Sequence, residues 1–194
     1  MSENTKKEKN DEVDIATQIE VATQTLERNI GFVTNCDNKT SIVLAIIGVL
    51  FTIILTNDGL NTIYNLINTC VEKKNFCSIL YLIFFASSIL VMIRGLYNLC
   101  SVLIAKTEKN IAGAVGENSR IFFAGINRHG NYKTYKEKFC KMSQQELLDE
   151  LIAQIYINAD IATCKYSKYN TGLKLTLVGF CLFAVILLIG IYTY

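Results

Sequence analysis

"GLKLTLVGFCLFAVILLIGIYTY", residues 172–194, decides the fold, because Lys174 is its sole charged residue. A helix needs roughly 20 apolar residues to cross a bilayer, and this stretch supplies them. Lys174 sits where a long stem lets its ammonium reach the headgroups. Tyr192 and Tyr194 suit the opposite interface, where aromatic rings collect. Two more apolar blocks, 40–56 and 78–105, meet the same length criterion, the second with Arg94 inside it. A cleaved signal peptide is the rival reading of 40–56. Some forty mostly polar residues precede that block and no small-residue cleavage site follows it, which argues against the rival. Soluble core helices are the rival for all three blocks, and the length of 172–194 and its lack of acidic residues argue against them.

The expected fold is an all-α membrane protein with three transmembrane helices and cytoplasmic helical extensions. Lysine and arginine counts orient it. Residues 1–39 carry five, the loop 57–77 carries two and residues 106–171 carry ten. The amino terminus and 106–171 are therefore expected inside the cell, with 57–77 and the carboxyl terminus outside (N-in/C-out). The chain lacks proline altogether, which favours long uninterrupted helices.

Residues 1–12, charged and nearly devoid of apolar side chains, read as a disordered tail. In 13–39, Ile15, Ile19, Ala22, Leu26, Asn29 and Val33 repeat at heptad spacing, which predicts an amphipathic helix running into the first span. Glycines break up 106–142, with a short helix expected over 132–140. "SQQE" at 143–146 is a capping box. It opens a second amphipathic helix, 143–170, whose stripe is Leu148, Ile152, Ile155, Ala159, Ala162, Tyr166 and Tyr169. The two stripes need burial, against each other or against a second copy of the chain.

Charged residues make up 19% of the chain, below the roughly 25% of a soluble domain. A net charge of +2 without a dense basic stripe gives no case for a nucleic-acid polymer as partner. Seven scattered cysteines and the single histidine, His129, offer no metal-ligand spacing. Cys70 and Cys77 read as a disulfide or, more simply, as free thiols. No nucleophile motif, phosphate loop or acidic cluster appears, so no catalytic residue, metal or cofactor is expected and the chain does not read as an enzyme.

Two polar constellations stand out. At the foot of the spans, Asp37 and Lys165 lie at comparable depth. Lys39, Arg94 and Asn98 are expected nearby, and Gln154 and Asn158 share a helix face with Lys165. A charged residue within a span is by default a functional hypothesis, which covers Arg94; the plainer reading makes Lys39 and Lys165 interface lysines. In the sensing segment 106–171, Arg120, Arg128 and Lys133, with Tyr132 and Tyr135, are candidates to hold a phosphate and stack a base. The plainer reading there is the positive-inside bias.

"DNKTS" at 37–41 resembles the Asp-x-Lys-Ala/Thr signature of Pycsar transmembrane effectors. "IFFAGI" at 121–126 and "QIYINADIATCKYSKY" at 154–169 resemble further stretches of that family, in order over 30–194. The family often carries a proline near its Phe-Phe-x-Gly stretch, which this chain lacks. The resemblance implies a bacterial antiphage effector of the inner membrane. A cognate pyrimidine cyclase would supply cUMP or cCMP as regulatory ligand. The effector, as a homo-oligomer in the lipid bilayer, would then impair the membrane and abort infection. The alternatives are an effector gated by another cyclic (oligo)nucleotide, or a non-signalling scaffold or transport subunit.

Overall fold

A computed structural model describes residues 3–73, 75–104 and 119–193, with side chains from Asp14 onward except those of 123 and 124. Among the described residues six helices follow in order: α1 (Glu3–Ile54), α2 (Asn57–Lys73), α3 (Phe76–Leu103), α4 (Phe123–Asn127), α5 (Tyr132–Cys140) and α6 (Gln144–Thr193). No strand occurs among the described residues. α1, α3 and α6 are each long and apolar enough to cross a membrane.

The amphipathic stretch and the apolar block at each end of the chain fuse into one helix. α1 has 52 residues and α6 has 50, about 75 Å each at 1.5 Å per residue. Nothing in either sequence breaks a helix, so the backbone bonds run on from the polar part into the greasy part. Two expectations are corrected. Residues 3–12, read as a disordered tail, lie within α1, which begins at Glu3. The loop 57–77 contains α2, a helix of 17 residues. Its apolar positions repeat with helical period but fall short of a span. The helix expected over 132–140 is α5. Residues 105–118 of the sensing segment lie outside the described residues.

The chain divides into two compact units, residues 1–35 with 105–164, and residues 36–104 with 165–194. In the first, Ala22 of α1 packs with Leu148 and Leu151 of α6, and Ile19, Leu26, Leu147, Ile155 and Ile121 close around them. The two heptad faces therefore bury each other within one chain. Of the expected α6 stripe Leu148 is buried and Ile155 packs against this core, whereas Ile152 is exposed and Leu151 is buried in its stead.

In the second unit α3 and α6 meet backbone to backbone. A Cβ added at Gly95 would lie 2.9 Å from Thr176 Cα, one at Gly172 3.0 Å from Leu99 N, and one at Gly179 2.7 Å from Met92 N. Small residues let membrane helices approach this closely, gaining dispersion contacts where water supplies no driving force. Phe85 of α3 and Phe183 of α6 pack with ring centroids 5.4 Å apart. In contrast, Ile42, Ile46, Val49 and Ile53 of α1 are exposed.

Candidate functional site

In the first unit the site begins at Glu150, nearly two turns beyond the start of α6. Ser119 Oγ donates to Glu150 Oε2 at 2.9 Å, Arg120 N–H donates to the same oxygen at 2.8 Å, and Arg120 Nε donates to Oε1 at 2.8 Å. Arg120 Nη1 also reaches Glu146 Oε2 at 3.3 Å. The capping box forms as expected, with Ser143 N–H donating to Glu146 Oε2 and Glu146 N–H donating to Ser143 Oγ. Two carboxylates of one helix thus clasp the start of "RIFFAG". Gly125 follows from that clasp, since a Cβ there would come within 2.9 Å of Ser119 N.

Burial alone would raise the Glu150 carboxyl. The Arg120 guanidinium, the Arg120 N–H and the Ser119 hydroxyl outweigh it and hold the group below its ordinary value. Glu146 is lowered as well, chiefly by the Ser143 N–H and then by Arg120. The same pairing, led by Glu150, raises Arg120.

Arg120 carries the clasp across to α5. Tyr135 Oη donates to the Arg120 carbonyl at 2.9 Å, and the Tyr135 ring stacks on His129 at 5.7 Å. Asn131 caps α5 by accepting from Thr134 N–H at 2.9 Å. Arg120, His129, Lys138, Lys141 and Glu146 line an open recess of about 530 Å³. Lys138 Nζ lies 3.4 Å from His129 Nδ1. A lysine ammonium only donates, so this contact makes Nδ1 the acceptor and puts the imidazole proton on Nε2. That nitrogen is buried and has no hydrogen-bond partner among the described residues. The recess therefore presents two lysines, with Arg120 already largely neutralised by its carboxylates.

The phosphate candidates of the sequence are placed differently from one another. Arg120 lies at the recess, tied to Glu146 and Glu150, whereas Arg128, Tyr132 and Lys133 are exposed and do not line it. His129, Lys138 and Lys141 escaped the sequence reading. His129 and Lys138 are nine residues apart, and only the turn before α5 brings them together.

In the second unit Lys165 Nζ donates to both oxygens of Asp37, at 2.5 and 2.7 Å. The Lys165 side chain is 7% exposed and that of Asp37 34%. Cys36 and Thr40, one turn apart on α1, are fully buried beside the pair, and Thr40 Oγ donates to the Cys36 carbonyl. Lys39 points out and makes no hydrogen bond or ion pair among the described residues. Arg94 is exposed, with its guanidinium 5.6 Å over the Tyr97 ring. Asn98 is half-buried on α3. Neither shares a hydrogen bond with Asp37 or Lys165 among the described residues. Gln154 and Asn158 belong to the first unit, where Asn158 Nδ2 donates to the Gln154 carbonyl at 2.8 Å. Gln154 is buried with its Nε2 unpartnered among the described residues. Asn29, the polar exception in the α1 stripe, donates to the Ile155 carbonyl at 3.3 Å.

Residues 21–191, which include every side chain of the recess and of the ion pair, match the model of the Pycsar effector protein domain. A curated relative, Pycsar effector protein GmPycTM of Gulbenkiania mobilis, is 25% identical over 176 residues, covering 86% of this chain and 90% of the relative. No solved structure matches. A match running from about five turns into α1 almost to the end of α6 takes in part or all of every helix described, and the chain belongs to the Pycsar effector family.

Proposed function

We propose that the chain is an antiphage effector of the bacterial inner membrane, oriented N-in/C-out. A cyclic pyrimidine mononucleotide made by a cognate cyclase, cUMP or cCMP, activates it to impair that membrane and abort infection. It acts by binding rather than by catalysis, and as a homo-oligomer. Family membership and three apolar helices support this reading. The observation that carries the ligand-binding part is the basic recess, lined by Lys138 and Lys141 beside His129. A recess of a few hundred cubic ångströms suits a small ligand. A phosphodiester with one negative charge would meet two lysines there. A bound ligand would act on the spans through α1 and α6, which continue unbroken into the apolar segments.

Calorimetric titration of the purified chain with cUMP, cCMP and a cyclic dinucleotide tests the proposal. Lys138→Ala and Lys141→Ala should each weaken mononucleotide binding about ten- to hundredfold. A charge-assisted contact is worth about 1.5–3 kcal/mol. Lys136→Ala, on the same short helix, should leave affinity unchanged. Binding of the cyclic dinucleotide alone would transfer the chain to the alternative reading.

A further inference from the structure

α2 belongs to the second unit and carries two apolar faces. One face, with Leu66 and Cys70 buried, packs within that unit. Ile63, Leu66 and Ile67 share a small apolar gap with Tyr81 and Phe85 of α3 and Leu187 of α6. Phe85 lies nine residues into α3, about 13 Å along its axis, so α2 packs alongside the apolar part of the span and not merely at its rim. The second face is Leu60, Tyr64, Ile67 and Val71, stepping by four, three and four, and all four are exposed, Tyr64 by 64%. The remaining side is a row of exposed asparagines, Asn57, Asn61, Asn65 and Asn68, at the same helical spacing.

A helix tethered at both ends to membrane spans, and packed against their apolar segments, cannot place a second apolar stripe in bulk water without losing the benefit of burying it. Its charges do not favour adhesion to anionic headgroups either, since α2 holds Asp58 and Glu72 against Lys73. We propose that α2 is seated in the bilayer, with Leu60, Tyr64, Ile67 and Val71 against lipid acyl chains and the asparagine row facing water. The occupant of the exposed stripe is lipid. The same arrangement holds whichever way the chain is oriented, because it fixes α2 relative to the spans of its own unit.

The chain contains no tryptophan, so single substitutions report without background. The full chain carrying Tyr64→Trp or Asn65→Trp is reconstituted at high lipid-to-protein ratio in phosphatidylcholine vesicles with and without brominated acyl chains. Brominated lipid should quench Tyr64→Trp several-fold more than Asn65→Trp, and aqueous iodide should do the reverse. Val71→Trp and Asn68→Trp repeat the comparison on the next turn, should one of the first pair fail to insert. Tyr64→Trp emission quenched by iodide and not by brominated lipid would overturn the proposal. So would emission shielded from both quenchers, which would mean that protein covers the stripe. Equal lipid quenching at the two faces would overturn the water-facing half.

Discussion

Replacing Asp37 by Asn should destabilise the chain far more than replacing Lys165 by Met, although the two changes break the same ion pair. The reason is their unequal burial: the Lys165 side chain is 7% exposed and that of Asp37 34%. Losing Asp37 strands an ammonium that water barely reaches. Breaking a buried pair from one side costs about 3–5 kcal/mol, and the partial exposure of Asp37 places this pair near the lower end, about 3 kcal/mol. Losing Lys165 leaves a carboxylate that water can solvate, which costs about 1 kcal/mol, as for exposed pairs. The double variant Asp37→Asn with Lys165→Met removes the stranded charge. It should therefore be more stable than Asp37→Asn alone by about 2 kcal/mol, or about thirtyfold in the unfolding equilibrium. Unfolding of the full chain from neutral micelles by added sodium dodecyl sulfate, followed by far-ultraviolet ellipticity, measures all three variants. Equal losses in the two single variants, or a double variant no better than Asp37→Asn, would refute the reasoning.

Two further outcomes are expected. Because Glu150 is held below its ordinary value of 4.5, the clasp on Arg120 contributes its full stability above that value. The contribution is lost as pH falls through the lowered one, so acid unfolding of the wild type should be steeper below about pH 4.5 than that of Glu150→Gln, and parallel curves would dissociate Glu150 from the clasp. For orientation, an impermeant maleimide applied to sealed cells should label exposed Cys77 and spare exposed Cys140, and labelling of Cys140 would reverse the proposed topology.

The spans and the Asp37–Lys165 pair were legible because both follow from spacing along helices that nothing interrupts. Asp37 stands three residues before one apolar block and Lys165 seven before another, and helices of constant rise bring such positions to a common level. The fate of Arg120 was not legible. Glu146 and Glu150 lie 26 and 30 residues away across α4 and α5, and no local pattern announces that they clasp it. The recess went unread for the same reason, since its residues come from a turn, a short helix and the start of α6. α2 was missed differently: its apolar period is present in the sequence, but at 17 residues it is short for a span, and 57–77 reads as a loop between two apolar blocks.

The glycine contacts between α3 and α6 act as a steric notch. Sliding α6 by four residues, about 6 Å, would bring Thr176 or Lys168 to the slot of Gly172, and Phe183 or Leu175 to that of Gly179. Neither slot has room even for a methyl group. A step of seven residues returns a glycine to only one of the two slots. These helices therefore have a single register in which they can touch, and they move as one plate or separate completely. Within the second unit, the freedom to tilt or turn falls to α1, whose face at Ile42, Ile46, Val49 and Ile53 meets no such stop.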